Sequence, residues 1–283
     1  MASVGGFGHF HISRLHINNR FIRERYYFCY LSSLTFCIAK RRLHMKRALI
    51  FTGLAIASLG SFWLIFDRSI AVALIIMGSI AWHEVGHMIA YKYLGINSEF
   101  YFLPFLGGFA KATVPHTELT DAKASWVAIM GPATTFLLAV LAYGGYYLTG
   151  ETLYLVAANL NAGLGFFNLL PIGFKQGGLD GGIIAHRIFS SLKEVDEPKF
   201  MLVTLIVGLA LATYMIIANK LTFVVLLMAY GMRSRSNSDD PAHAYLPTAM
   251  SNKTVTYLAG IYFFMMIASF VIQEITPLWN TLV

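Results

Sequence analysis

The stretch SIAVALIIMGSIAWHEVGHMIAY, residues 69–91, decides how the rest of the chain is read. A membrane-spanning helix needs about 20 mostly apolar residues, and this stretch supplies them. Near its end stand His83, Glu84 and His87. An ionisable side chain inside a span costs several kcal/mol and is rarely kept without a role. On a helix, residues four apart share a face. Two imidazoles so placed can hold one zinc ion at roughly 2.0–2.1 Å. Glu84, next to the first histidine, can reach a metal-bound water and act as general base. Zinc lowers the pKa of such a water to about 7. The competing reading is a hydrogen-bonded polar helix end at the cytoplasmic interface.

Further apolar runs surround this stretch. They are Ala48–Phe66 before it, then Ala124–Thr149, Thr152–Ile172, Phe200–Ala218, Leu221–Met232 and Thr254–Ile272. The sixth, Leu221–Met232, is short for a span. The expected fold is an all-α polytopic membrane protein with about seven transmembrane helices. Composition agrees. Of 283 residues, 57% are hydrophobic and 12% charged, against roughly 25% charged in soluble domains. A soluble enzyme, a disordered protein and a nucleic-acid module are excluded on that ground. The pI near 9.4 does not reinstate nucleic acid as a partner. Residues 1–47 carry nine of the 21 basic residues and one of the 14 acidic ones. The body of the chain is nearly neutral.

Loop charges orient the bundle. With a cytoplasmic N-terminus, the inside loops 92–123, 173–199 and 233–253 hold Lys92, Lys111, Lys123, Lys175, Arg187, Lys193, Lys199, Arg233, Arg235 and Lys253. The outside turns hold only Arg68 and Lys220. Residues 1–47 read as a basic N-terminal extension, 48–272 as the transmembrane core and 273–283 as a tail. Met45-Lys46-Arg47 runs straight into the first span, so residues 1–44 read as a dispensable extension or a mis-assigned start. The two cysteines, Cys29 and Cys37, lie in that extension and imply neither a disulfide framework nor a thiol at the site.

A catalytic zinc needs a third protein ligand and an open position for water. The fourth run ends Asn168-Leu169-Leu170-Pro171, and Pro171 stops the helix. Five glycines follow within residues 172–182, enough freedom for the chain to fold back toward the bundle. Asp180 lies among them, on the same side of the membrane as the His pair by the loop charges. Its alternative role is as N-cap of a short amphipathic segment, Ile183–Leu192.

An H-E-x-x-H in an early span, followed by N-x-x-P and L-D-G after a later one, resembles the site-2 protease family of intramembrane zinc metalloproteases. The resemblance covers about residues 69–190. It implies one zinc ion held by His83, His87 and Asp180, with Glu84 as catalytic base. Asn168 matches the family's asparagine near the active site, which positions substrate or the developing oxyanion; an interhelical hydrogen bond is the alternative. Two departures stand out. Eight residues, 172–179, separate Pro171 from Asp180, where the family usually has only a few. Thr135 occupies the asparagine position of a G-P-x-x-N pattern that begins at Gly131-Pro132. Every loop is too short for the PDZ or CBS domains of many relatives, so a minimal core enzyme is implied, with any regulation left to partner membrane proteins.

The implied substrate is a single-pass transmembrane protein in the lipid bilayer. A peptide bond inside a helix has its carbonyl hydrogen-bonded and must be unwound before attack. An exposed strand edge could hold the unwound chain. Residues 99–114 are aromatic and β-prone, with a Gly107-Gly108 turn signal and Pro104 suited to an edge strand. A small membrane-associated β-region is therefore expected here, with Phe105, Gly107, Gly108 and Phe109 as substrate-binding residues. An interfacial loop anchored by aromatics is the alternative.

The expected function is that of a zinc metalloendopeptidase acting within or near transmembrane helices, in regulated intramembrane proteolysis. The short, PDZ-free form points to a bacterial cytoplasmic (inner) membrane with the active site on the cytoplasmic side. An ion or proton transporter using the His83/His87 cluster is the runner-up, and an inactive membrane scaffold the third class. A transporter would need polar residues along both leaflets, and the first, fifth and seventh runs are nearly free of them.

Overall fold

The computed structural model describes residues 48–64, 69–103, 107–112, 119–174, 177–192, 196, 198–200, 202–204, 206, 207, 210 and 248–275. The chain divides into residues 1–50 and 51–283. Of the first unit only the last three residues are described, and they are helical. Phe105, His116, both cysteines, most of the fifth and sixth expected spans and residues 276–283 lie outside the described residues.

Within them the chain is mostly helical. Helix α1 is Ala48–Leu64. Helices α2 (Ile70–Tyr93) and α3 (Asp121–Thr149) are each long and apolar enough to cross a membrane. Between them lies a hairpin of β1 (Ser98–Leu103) and β2 (Gly107–Ala112). Helix α4 is Thr152–Asn168; the two-residue strands β3 (Gly173–Phe174) and β4 (Gly177–Gly178) follow, then α5 (Asp180–Leu192). Helix α6 (Asn252–Ile275) is the third apolar helix of spanning length.

The helix ends follow from local chemistry. Ser69 caps α2 by accepting the Val72 N–H, the usual role of a serine at that position. Gly150, at φ 72°, ends α3 and turns the chain directly into α4. That left-handed conformation suits glycine alone without penalty. The expected fourth span, Thr152–Ile172, is shorter in the structure. It stops at Asn168 because the residue before a proline disfavours helical backbone. Leu169 and Leu170 form the exit turn, their N–H groups bonding to Phe166 and Phe167 carbonyls. Seventeen residues rise about 25 Å, less than the hydrocarbon core of about 30 Å.

One expectation changes in the β-region. Gly107-Gly108 is not the turn. Leu103 pairs with Gly107 and Phe102 with Gly108, so the glycines begin β2 and the connection is residues 104–106. Their role is close approach. A Cβ on Gly108 would lie 2.6 Å from the Phe100 ring and 2.9 Å from Ile80 of α2. The hairpin thus packs on α2, with Phe102 joining Phe62, Ala73, Ile76 and Ile80 in one apolar cluster. A larger cluster joins α3, α5 and α6 through Ile129, Ile184, Leu258 and Met265.

Arg187 also departs from its reading as a loop cation. It is buried on α5 and paired with Asp121, the first residue of α3, at 2.9 Å. His186 is buried and meets Phe200 edge-on.

Candidate active site

Helix α2 presents His83, Glu84 and His87, all buried. The rings of His83 and His87 stand 4.8 Å apart, nearly perpendicular. Their Nε2 atoms are 3.1 Å apart. Asp180 places Oδ2 at 3.1 Å from the His83 Nε2 and 3.5 Å from the His87 Nε2. These three atoms form a triangle. A zinc tetrahedron with ligands at 2.0–2.1 Å has edges of about 3.3 Å. The three edges bracket that value, so the ligand atoms already stand at the spacing zinc requires. The ligating atoms of His83, Glu84 and His87 lie within 4.8 Å of one another, which brings the Glu84 carboxylate beside the same point.

The surroundings orient these groups. His87 Nδ1 lies 2.8 Å from the Val127 carbonyl of α3. With the proton on Nδ1, Nε2 is left as the lone-pair donor, the arrangement common to metal-binding histidines. Val127 sits five residues before Pro132, next to Ala128, whose carbonyl loses its ladder partner because proline has no N–H. Glu84 Oε2 accepts the Ala110 N–H of β2 at 2.7 Å. That bond fixes one carboxylate oxygen and leaves the other. Because the Ala110 N–H points to α2, it does not point to β1, and it belongs to the outer edge of β2.

Glycines make room. A Cβ on Gly131 of α3 would lie 2.4 Å from His87 Nε2 and 2.8 Å from His83 Nε2. A Cβ on Gly86 would lie 2.2 Å from the Met130 carbonyl oxygen. The α2–α3 crossing is therefore a contact of small residues, as membrane helices use for close approach. Thr134 reinforces it by donating from Oγ1 to the Trp82 carbonyl.

Asp180 arrives by a different route. Strands β3 and β4 pair Gly173 with Gly178 and Phe174 with Gly177. Below them the Leu179 N–H donates to the Ile172 carbonyl at 2.9 Å. The segment after Pro171 is thus a hairpin closed on itself, and its eight residues do not lengthen the path to Asp180. Helix α5 begins at Asp180 itself rather than at Ile183. Its carboxylate lies in the positive field of that helix N-terminus. Burial opposes its charge, but the facing imidazoles of His87 and His83 outweigh this and hold the carboxyl well below the usual carboxylate range. Gly181 allows the approach, since a Cβ there would lie 2.0 Å from the Leu169 carbonyl oxygen.

The other candidates are placed as follows. Asn168 is the last residue of α4, and its amide donates to the Leu164 carbonyl of its own helix at 2.9 Å. Gly107, Gly108 and Phe109 lie on β2, with Phe109 stacked on Tyr101. Sequence reasoning missed Gly86, Gly131 and the backbone groups of Val127 and Ala110. The glycines had a signal, as glycines inside apolar helices mark close crossings; backbone partners 26 and 40 residues away had none.

Residues 71–151 match the model of peptidase family M50. The match contains His83, Glu84 and His87 and ends before Asn168 and Asp180. No curated protein matches the sequence. Among solved structures, the chain is similar to the site-2 protease from Methanocaldococcus jannaschii. Identity is 20%, the TM-score 0.43, and the alignment covers 72% of this chain and 93% of the other.

Proposed function

We propose that the chain, whose residues 71–151 match the model of peptidase family M50, is a membrane metallopeptidase of the site-2 protease type that hydrolyses a peptide bond within or beside a transmembrane helix of a single-pass substrate. The observation that carries this reading is the ligand triangle of His83, His87 and Asp180 with Glu84 beside it. The donor set of two imidazoles and one carboxylate fits a single zinc ion with a position left for water. Bound there, zinc supplies Lewis acidity and a water acidic enough to attack at neutral pH.

The chain's own residues do the rest. Glu84 takes the proton from the attacking water as its oxygen bonds to the peptide carbonyl carbon. Glu84 then returns that proton to the leaving nitrogen as the C–N bond breaks. The Ala110 N–H keeps the carboxylate aimed during both transfers. Asn168 serves as an oxyanion donor once its amide exchanges the Leu164 carbonyl for substrate. The unwound substrate adds to the outer edge of β2 beside Gly107, Gly108 and Phe109. Seven spans, with the site facing the cytoplasmic side of a bacterial inner membrane, complete the reading; loop charges support that orientation. The cleavage initiates regulated intramembrane proteolysis, with regulation by a partner membrane protein.

The test is Glu84→Gln in proteoliposomes that hold candidate single-pass substrates. Cleavage is expected to fall by at least about 10²-fold while bound zinc is retained. Unchanged cleavage rejects the mechanism.

A further inference from the structure

A second buried charged cluster lies outside the ligand triangle. Arg187 of α5 pairs with Asp121 of α3 at 2.9 Å, with the two side chains 3% and 0% exposed. Asp121 Oδ2 also accepts the Thr248 N–H at 3.2 Å. The Asp121 N–H donates to Thr248 Oγ1 at 2.7 Å. Ser191 of α5 accepts the Met250 N–H. One carboxylate thus joins the start of α3, the middle of α5 and the residues that lead into α6.

Such a cluster is poorly explained by stability. Desolvating both charges offsets most of their attraction, and apolar replacements of buried pairs are often neutral or stabilising. The better-attested use of buried ionic groups is to fix register. The register at stake is that of α5. Asp180 and Arg187 are seven residues apart, two helical turns, and share a face. That face packs between α2 and α3. Only Arg187 meets α3 by an ion pair, reaching Asp121 at its start, whereas Asp180 reaches His83 and His87 of α2. Sliding α5 by one residue moves it about 1.5 Å and turns it about 100°. Asp180 would then leave the His pair. Gly181 fixes the start of α5 against the Leu169 carbonyl, and the ion pair with its hydrogen-bonded carboxylate adds a directional contact two turns further on.

We propose that Asp121 and Arg187 are positioning residues for the metal centre. Their ion pair locks α5 in register on α3 and so holds the Asp180 carboxylate against His83 and His87. The proposal rests on the metal-centre reading above and adds residues that ligate nothing.

The test uses the full chain in detergent. Zinc affinity is measured by chelator competition, the visible spectrum is recorded with cobalt(II), and thermal unfolding is followed with and without zinc. Two variants are compared with wild type: Arg187→Lys, which keeps the charge, and the neutral pair Arg187→Gln with Asp121→Asn. The neutral pair is expected to bind zinc about 10–100-fold more weakly, the range seen when groups that orient ligands are lost. Its cobalt spectrum changes as the carboxylate leaves. Arg187→Lys, which keeps a point charge but not the guanidinium fork, weakens binding measurably, by about 3–10-fold. Native zinc affinity and an unchanged cobalt spectrum in the neutral pair overturn the proposal, even where its metal-free form melts earlier, because that is the pattern of a structural pair alone. If the neutral pair does not fold, native affinity in Arg187→Lys overturns it. If the wild type binds no zinc, the metal-centre reading falls and takes this one with it; if the wild type binds and the variants match it, only this one falls.

Discussion

The two halves of the site are built on opposite principles. Helix α2 delivers three groups by helical repeat alone. The spacing of His83 and His87 follows from 3.6 residues per turn, and the backbone of the helix needs no help from elsewhere to hold it. Asp180 comes 93 residues after His87 on a short helix that no local rule places. Its position depends on the exit turn at Pro171, the backbone bond that joins Leu179 to Ile172, the missing side chain of Gly181 and a buried ion pair at Arg187. The lesson is that one half of the centre is written in sequence spacing and the other in packing. The two halves should therefore fail differently.

The largest expected effects fall on α2. His87→Ala should abolish both bound zinc and cleavage, whereas Glu84→Gln should abolish cleavage and keep zinc. Metal analysis beside an activity assay separates them. Equal loss of zinc in both variants would make Glu84 a ligand rather than a base. Next comes the contact between the halves. In Gly131→Ala, the new methyl would lie 2.4 Å from His87 Nε2, so zinc affinity should fall by about 10²-fold or more. Native affinity would show that α3 does not stand where described. Gly181→Ala should act on the second half alone. Its methyl meets the Leu169 carbonyl oxygen at 2.0 Å, so α5 must shift. Zinc should weaken by about 10–100-fold, with a cobalt spectrum that resembles that of Asp180→Ala. The smallest effect is expected from the hairpin. Ile172 and Leu179 are already joined by a backbone hydrogen bond. Replacing residues 173–178 with Asn-Gly would close the same bond as a two-residue turn. Zinc content should be unchanged and cleavage should stay within about threefold. Loss of zinc would mean that the hairpin, not the turn and α5, delivers the carboxylate.

This contrast also explains what could be read in the sequence. The three apolar helices, the His pair and the β-region were legible, because each rests on a period or a run. Asp180 was legible as a candidate only, since spacing from Pro171 ignores how the intervening residues fold. The eight-residue interval looked like a departure and is a closed hairpin. Gly107-Gly108 looked like a turn because glycine pairs mark turns; the structure uses them to bring β2 onto Ile80 and Phe100. Arg187 counted as a cytoplasmic loop charge, because its partner is 66 residues away and no local pattern links them. Asn168 was placed by motif alone, and its amide turns to the Leu164 carbonyl.

The most direct test of the central claim is the metal content of the purified full chain beside its Asp180→Ala variant. The account predicts one zinc per chain in the wild type and a large loss in Asp180→Ala, with the variant still folded. A wild type without zinc, or an Asp180→Ala variant that holds zinc as tightly as the wild type, would contradict it.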